Sequence, residues 1–278
     1  MNIPDSNKSL QRRVTKLATN SGVLRNGGTI RFFDFLRKNE RVYRWFLRKH
    51  QRFLERHEIK NFKNVIKPGM TVLDIGANSG TFTYFVSTMV GDEGKVYAFE
   101  PEPANYKALD RLVKSKNLQN VKTYNVALSS KQGTETLFVD KLSPGSHSFA
   151  EDNLISATKN GIEVQTTTLD SVLAANGRAD IIKIDVQGAE GMVFEGGQKL
   201  LQQEGPISIF LEFWPGGMKK LGTDPIRFLQ SFTDNGFNIS ILDKGSDGKV
   251  RVTIKDIEKL ISSWSDNTDY TNILLEKH

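Results

Sequence analysis

In Thr71-Val72-Leu73-Asp74-Ile75-Gly76-Ala77-Asn78-Ser79-Gly80, an apolar strand pattern runs into a glycine-rich turn, and a helical pattern follows from Thr81. A strand, a tight turn and a helix N-terminus in this order form a concave corner lined by backbone N–H groups, where nucleotide-like ligands bind. Here the corner begins with an acid, Asp74. A carboxylate repels a pyrophosphate and suits a ligand that carries an ammonium group and no phosphate.

A second acid lies where a ribose would need it. The strand-like run Lys95–Phe99 ends at Glu100, 20 residues after Gly80. Nucleotide-binding α/β folds place an acid at this distance, and its two oxygens accept both ribose hydroxyl protons. The two acids together predict a pocket for S-adenosylmethionine (SAM). The alternative is that the glycines only permit a tight turn and that Glu100 only faces water.

Five segments in this order resemble the successive motifs of FkbM-type SAM-dependent methyltransferases. They are Gly69–Thr83, Tyr97–Pro103, Asn125–Ser129, Thr167–Leu173 and Ile182–Glu190. The resemblance covers residues 65 to 215 and departs from the family pattern at Gln187, where Glu is more common. It implies a class I, Rossmann-like α/β fold with a seven-stranded, mostly parallel sheet. It also implies SAM as cofactor and O-methylation, often of a sugar hydroxyl on a glycan, glycolipid or natural product.

The hydrophobic pattern predicts one catalytic domain at 65–278, after an N-terminal helical, basic extension at 1–64. Strand and helix patterns alternate through this domain, which indicates a parallel sheet with helices on both faces. Between 130 and 168 the pattern changes to two shorter strands, near 134–139 and 162–168, which predict a hairpin insertion over the site. The expected strands of the main sheet lie near 71–76, 94–99, 121–127, 181–185, 207–213, 237–242 and 271–275, and the helices near 79–90, 103–116, 189–203 and 224–236.

The motifs assign cofactor-binding roles. We expect Asp74 to serve the amino-acid end of SAM, through the turn amides or water, and Glu100, followed by Pro101, to hold the ribose. The backbone cradle is formed by Gly76, Ala77, Asn78 and Gly80. The adenine is framed by Asn125, Val126 and Ala127.

Three residues are candidates for catalysis, because a poorly acidic hydroxyl needs a base. Asp185 follows an apolar strand, where the resemblance also places an active-site acid that borders the cofactor; its alternative role is to cap the next helix. Glu212 is a second carboxylate, or else a salt-bridge partner at the sheet edge. His147 titrates in a suitable range, or else is merely exposed. The three are also possible ligands of Mg²⁺, although no close metal-ligand spacing supports a metal site.

The extension concentrates basic residues between 37 and 56, opposite paired apolar residues. This pattern predicts an amphipathic helix, whose basic face is either solvated or docks on an anionic substrate, a lipid surface or RNA. Its aromatic residues Phe32, Phe35 and Phe46 are candidates for a homodimer contact.

Composition narrows the function classes. The 278 residues include no cysteine, which excludes disulfides, cysteine-bound zinc and thiol nucleophiles. There is no apolar run of about 20 residues and no secretory signal pattern, so we expect a soluble, cytoplasmic protein. The leading hypothesis is a glycan or small-molecule O-methyltransferase. The alternatives are a methyltransferase acting on RNA or protein, a NAD-dependent oxidoreductase and a non-catalytic SAM-binding protein. The chain lacks the G-x-G-x-x-G turn that a NAD-dependent oxidoreductase needs.

Overall fold

A computed structural model describes residues 62–63, 65–140, 147–154, 161–242, 248–264 and 267–278. The strands are β1 Thr71–Ile75, β2 Lys95–Phe99, β3 Val121–Tyr124, β4 Ala127–Leu128, β5 Gly133–Leu137, β6 Ile162–Thr167, β7 Ile181–Ile184, β8 Ile207–Phe213, β9 Asn238–Leu242, β10 Lys249–Val252 and β11 Thr271–Lys277. The helices are α1 Thr81–Val90, α2 Pro103–Ser115, α3 Leu169–Asn176, α4 Glu190–Glu195, α5 Gln198–Leu201, α6 Pro215–Lys220, α7 Pro225–Asp234 and α8 Ile254–Ser263.

The main sheet has eight strands in the order β10-β9-β11-β8-β7-β1-β2-β3. Strands β3, β2, β1, β7 and β8 are parallel, and β11 lies antiparallel between β8 and β9. The mostly parallel class I sheet is thus confirmed, but the expected count of seven strands is corrected to eight. The additional strand, β10, pairs with β9 at the edge of the sheet. Its four residues alternate a basic side chain with Val and are mostly exposed, so no buried apolar pattern marks it.

Alternation along the strands builds a core on each face of the sheet. In β1, Leu73 and Ile75 face one core, which also contains residues of β7 and β8 and the helices α3, α4 and α7. Val72 faces the other core, with Val86 and Val90 of α1. Helices therefore cover both faces, as the alternating strand and helix patterns predict.

The helix expected near 189–203 is two short helices, α4 and α5. Gly196 and Gly197 separate them, because a Cβ on Gly196 would lie 2.2 Å from the carbonyl oxygen of Ser129 and one on Gly197 would lie 2.7 Å from Leu169. The close approach needs glycine and ends the first helix. Sequence periodicity also missed α3, α6 and α8.

The insertion forms a separate three-stranded sheet, β4-β6-β5. β5 and β6 pair antiparallel, with Glu135 opposite Val164. β4 adds to β6 in parallel, so the chain that leaves β3 passes directly into the insertion sheet.

The basic helix and its aromatic face, between residues 32 and 56, lie outside the described residues. Phe62 is described: although the sequence boundary assigns it to the extension, it packs in the core, with ring centroids 4.6 Å from Phe82 and 3.7 Å from Phe210. No helix within the described part of the chain combines the length and the apolar character required to cross a bilayer.

Candidate functional site

A main cleft opens at the carboxyl ends of β1, β2 and β7, where ligands bind in open α/β sheets. It encloses about 960 Å³, including space open to solvent. Its lining includes the expected residues Gly76, Ala77, Asn78, Glu100, Pro101, Val126, Ala127, His147 and Asp185.

The turn after β1 is shaped by close packing against β7. Gly76 has φ +80°, and a Cβ there would lie 2.0 Å from the carbonyl oxygen of Asp185. The backbone N–H of Asp185 in turn donates to Ile75 at 3.1 Å. Glycine at 76 therefore lets the ends of β1 and β7 approach closely. Its backbone lies in the left-handed region, which other residues seldom adopt.

The N–H groups of this turn have partners within the protein. The N–H groups of Gly76 and Ala77 both donate to Phe99 O at 3.0 Å, and the N–H of Asn78 donates to Glu100 Oε2 at 2.8 Å. The N–H of Ser79 donates to Asn78 Oδ1 at 2.6 Å, and the N–H of Gly80 donates to Ala77 O at 3.0 Å. The expectation of a cradle of free N–H donors is therefore corrected. The backbone N–H groups of the turn hold β1, β2 and α1 together, so the turn contributes to the cleft through its shape.

Asp74 lies beneath the cleft, fully buried. The hydroxyl of Thr83 donates to its Oδ2 at 2.5 Å, and Lys183 Nζ lies 3.7 Å from its Oδ1. Burial raises the pKa of Asp74, while the Lys183 ammonium and the Thr83 hydroxyl oppose that shift. Asp74 therefore supports Lys183 and the turn, in place of a direct contact with a ligand in the cleft.

Lys183 connects this buried acid to the cleft. It stands directly opposite Asp74 in the parallel pair of β1 and β7. Its ammonium donates to Gly76 O at 3.2 Å and lies 3.6 Å from Asp185 Oδ2. One lysine thus holds an acid below the cleft and an acid at its edge.

Glu100 projects into the cleft at the end of β2 and is 5% exposed. Its Oε2 accepts the N–H of Asn78 at 2.8 Å, and its Oε1 accepts the N–H of Glu102 at 2.9 Å. Burial raises the pKa of Glu100 to about 7, although these two N–H groups favour the ionised form. A carboxylate oxygen accepts more than one hydrogen bond, so each oxygen still has capacity for a ligand hydroxyl.

The far wall of the cleft is apolar and comes from the insertion sheet. Val126, Leu128, Leu137 and Phe149 line it. Asn125 does not line it: its side chain donates to the carbonyl oxygens of residues 100 and 101, each at 2.9 Å, and thereby shapes the turn that carries Glu100.

Two carboxylates meet at the opposite end of the cleft. The side-chain amide of Gln187 donates to Asp185 Oδ1 at 2.8 Å and to Glu212 Oε1 at 3.0 Å. The alternative in which Asp185 caps the next helix is not observed, because α4 begins after Ala189 without a side-chain cap.

The backbone of Gln187 is itself unusual. Its φ of +52° places a long side chain in the left-handed region, which costs about 1–2 kcal/mol for a non-glycine residue. Its carbonyl oxygen accepts the Ser148 hydroxyl at 2.9 Å and the Asn153 amide at 3.2 Å. Strain of this kind persists only where surrounding contacts fix it, and it concentrates at functional sites.

A smaller side cleft adjoins the main cleft on the far side of Asp185. Polar residues line its floor, namely Lys183, Asp185, Glu212 and Asn272, and Phe62 and Phe210 form its apolar walls. The position follows from register: Lys183 pairs with Phe210, and Glu212 pairs with Asn272. The side cleft thus has carboxylate acceptors beside an aromatic wall.

His147 lines the main cleft, with its Nδ1 accepting the backbone N–H of Asp140 at 3.2 Å. Burial lowers the pKa of His147, so the ring is neutral at neutral pH and its proton lies on Nε2. This geometry argues against His147 as a base, because neither ring nitrogen has a lone pair left for a proton.

Among the described residues, no group of three or more Asp, Glu or His side chains is arranged to hold a metal ion. Asp185 and Glu212 are brought together, but His147 is not brought to them as a third ligand.

The residues of the main cleft fit SAM. The Glu100 oxygens have acceptor capacity for the ribose, the wall of Val126, Leu128 and Phe149 suits a purine, and Asp185 supplies negative charge near the end where the methyl donor would lie. A pocket with an apolar wall and a few convergent polar groups is the usual form of a cofactor site.

Sequence patterns missed Lys183 and Phe149, and gave Gln187 only as a departure from a motif. A signal for Lys183 was present, since a lysine inside a strand that is apolar on both sides seldom occurs without a partner. Phe149 follows a polar stretch without periodicity, and no local pattern marks it.

Comparison with known proteins identifies the family. The model of the methyltransferase FkbM domain matches residues 74–239. The methyltransferase sdnD of Sordaria araneosa is 30% identical over 154 residues, a match covering 45% of this chain and 59% of that protein. The ribosomal RNA large subunit methyltransferase E of Wigglesworthia glossinidia brevipalpis is 46% identical over 48 residues, 17% of this chain and 24% of that protein. The chain thus spans less than two thirds of the length of these curated relatives.

Among solved structures, the methyltransferase FkbM of Methylobacillus flagellatus KT is similar, with a TM-score of 0.46 and 11% identity over 74% of this chain and 43% of that one. Aeropyrum pernix fibrillarin, in complex with bound S-adenosyl-L-methionine, has a TM-score of 0.41 and 13% identity over 76% of this chain and 68% of that one. The family match covers more than half of the chain and includes the turn after β1, Glu100 and the Asp185 turn. The chain therefore belongs to the FkbM family of SAM-dependent methyltransferases.

Proposed function

We propose that this methyltransferase transfers the methyl group to a hydroxyl of a sugar, glycan, glycolipid or natural product. The observation that carries the proposal is the pair of carboxylates, Asp185 and Glu212, held by one amide of Gln187 between the main cleft and the side cleft. Because the chain belongs to a methyltransferase family, the alternative of a NAD-dependent oxidoreductase is set aside.

The side cleft supports a hydroxyl-bearing acceptor. Carboxylate oxygens accept hydrogen bonds from hydroxyl groups, and Asp185 and Glu212 offer such oxygens at two neighbouring points. Phe62 and Phe210 border the same cleft with apolar side chains. An acceptor with several hydroxyls on a partly apolar skeleton satisfies both features.

Asp185 is the base in this proposal. Bound SAM supplies a methyl carbon made electrophilic by its sulfonium. Asp185 accepts the hydroxyl proton at a carboxylate oxygen as the acceptor oxygen gains its methyl group, and Gln187 fixes the direction of that carboxylate. Glu212 holds a neighbouring hydroxyl, so that the reacting one is oriented.

The cofactor residues act by position. Glu100 binds the ribose hydroxyls, the turn at Gly76 approaches the ligand closely, and Val126 and Ala127 border the adenine. Lys183 forms ion pairs with Asp74 and Asp185 around the same turn.

An acceptor of RNA or protein is the second candidate. It is favoured by the short match to a ribosomal RNA methyltransferase, which is confined to 17% of this chain. The Asp185–Gln187–Glu212 arrangement lies between the two clefts. It suits a ribose hydroxyl of RNA as well as a hydroxyl of a sugar or natural product, so the experiment below compares these acceptor classes.

The test is an acceptor screen that measures formation of S-adenosylhomocysteine (SAH) and the methylated product by mass spectrometry. The panel contains free sugars, oligosaccharides, glycolipids and polyketide-type alcohols beside RNA and protein fractions. With the best acceptor, we expect Asp185→Asn to lower turnover ~10²–10⁴-fold, the usual contribution of a general base, while SAH affinity is retained. Asp92→Asn, an exposed acid on the α1–β2 turn, is the matched control.

Methylation confined to the RNA or protein fractions would replace the proposed acceptor class. Full turnover by Asp185→Asn would remove Asp185 from the role of base, whichever acceptor is found.

A further inference from the structure

Residues 147–149 border the main cleft and are fixed at both sides. The backbone N–H and carbonyl of Ser148 pair with Phe138 at 3.1 and 2.9 Å, and its hydroxyl donates to the carbonyl of Gln187 at 2.9 Å. This segment is thereby fastened to the insertion on one side and to the Asp185 turn on the other. His147 and Phe149, on either side of Ser148, both line the cleft.

The segment reaches the end of the cleft where Glu100 lies. The negative charge of Glu102, the N-cap of α2, acts on His147. Pro101 and Asn105, from the start of the same helix, line the cleft there. Because Glu100 is placed to hold the ribose, the adjoining space is the place for the adenosine of SAM.

The chemistry of His147 at this place is that of a donor. Its Nδ1 accepts the Asp140 N–H at 3.2 Å, and burial lowers the pKa of His147 and keeps the ring neutral. Nε2 therefore carries the proton and is the ring nitrogen left for a ligand. Phe149 adds an aromatic face that packs with Ala127, Leu137 and Val164.

We propose that His147 and Phe149 form an adenosine-binding wall, in which His147 Nε2–H donates to an acceptor atom of the adenosine and Phe149 packs against the purine. The proposal rests on SAM as cofactor and is independent of which acceptor is methylated. It assigns the insertion a part in cofactor recognition, in addition to covering the site.

The first experiment is calorimetry with SAH and with 5′-methylthioadenosine, which keeps the adenosine and lacks the amino-acid group. We expect His147→Phe to weaken binding of both ligands about five- to tenfold, because a neutral hydrogen bond is lost. His147→Gln restores a donor near the Nε2 position and retains most of the affinity. His278→Phe, at the exposed C-terminus, makes the same chemical change away from the cleft and leaves both affinities unchanged.

Unchanged affinity of His147→Phe for both ligands, with a wild-type melting temperature, would overturn the proposal. Weaker binding of SAH alone would also overturn it, since the residue would then act on the amino-acid end. If the wild type binds neither ligand, the cleft holds no adenosine and the proposal is overturned, whatever the variants show.

A second measurement uses the wild type and does not depend on the folding of a variant. The ¹⁵N chemical shifts of a histidine ring, measured by NMR, report the tautomer and the hydrogen bonding of each ring nitrogen. We expect saturating 5′-methylthioadenosine to shift the Nε2 resonance of His147 and to leave both ring resonances of His278 unchanged. An unshifted Nε2 resonance of His147 in the presence of the ligand would contradict the proposed adenosine-binding wall.

Discussion

The pKa of Glu100 predicts that cofactor binding depends on pH in the neutral range. Burial at the end of β2 raises this pKa from 4.5 to about 7 in the ligand-free protein. The ribose hydroxyls donate to the ionised carboxylate, so ligand binding and loss of the proton favour one another. Affinity therefore rises as pH rises and levels off above the pKa.

The expected size follows from the ionised fraction. With a pKa of about 7, about 90% of Glu100 is ionised at pH 8 and about 10% at pH 6. If only the ionised form holds the diol, the Kd for SAH increases about tenfold from pH 8 to pH 6. At pH 7, binding releases about half a proton, which calorimetry detects as a dependence of the binding enthalpy on the buffer.

Glu100→Gln removes the titration and disturbs the site. The two oxygens of Glu100 accept the N–H groups of Asn78 and Glu102, so the amide nitrogen of glutamine faces one of these donors. We expect the Kd of this variant for SAH to be at least tenfold higher at pH 8, from the loss of a charged hydrogen bond, and independent of pH between 6 and 8. Glu93→Gln, an exposed acid, is the matched control.

Glu190 requires a separate control, because burial also raises its pKa to about 7. It accepts the N–H of Gly188 at the start of α4 and does not line the main cleft. Glu190→Gln therefore keeps the pH dependence of SAH binding. A wild-type Kd that is constant from pH 6 to pH 8, or a slope that persists in Glu100→Gln, would refute the assignment of Glu100 to the ribose.

Three further outcomes follow from the packing and charge of the site. Gly76→Ala lowers the free energy of unfolding by about 2–4 kcal/mol, measured by denaturant titration, because the new Cβ meets the Asp185 carbonyl at 2.0 Å. Gly69 has a similar φ of +84°, but a Cβ there would have no atom within 4 Å, so Gly69→Ala lowers the free energy of unfolding by only about 1 kcal/mol. Equal losses of stability in the two variants would contradict the packing argument. Gln187→Glu replaces the donor shared by two carboxylates with a third carboxylate, so turnover with the acceptor falls at least ~10-fold while SAH affinity changes little; unchanged turnover would show that the bridge is dispensable. Glu190 has a folded-state pKa above its ordinary value of 4.5, so its contribution to stability is complete below pH 4.5 and is lost as pH rises through about 7. Between these limits the free energy of unfolding of the wild type falls by an amount on the order of 3 kcal/mol, and Glu190→Gln abolishes this fall. An identical dependence of stability on pH in the variant would refute this prediction.

Local patterns were sufficient to predict the strand, turn and helix at 71–90 and the acids at the strand ends. Each depends on residues within a short window, where periodicity and glycine placement are informative. The eighth strand was missed because an exposed edge strand buries few side chains, so it has no apolar pattern to detect.

The site's contacts depend on register between distant strands, which a single sequence does not show. Asp74 and Lys183 are 109 positions apart, and their pairing follows only from the alignment of β1 with β7. The same alignment, continued into β8, brings Asp185 beside Glu212. Gln187 could then be understood as the donor between them, although the sequence marked it only as an exception to a motif.

The acid of the first motif, Asp74, lies below the cleft and does not line it. Asp74 is buried under the turn and compensated by Lys183. Lys183 is the one lysine or arginine among the described residues that line the main cleft, whereas Glu100 and Asp185 both line it and Glu212 stands beside it. The excess negative charge therefore belongs to the cleft as a whole, and a low-dielectric concave wall strengthens its field. A ligand that carries a sulfonium and an ammonium complements that field, while a pyrophosphate opposes it, so the acid in the first motif indicates the sign of the site without contacting the ligand.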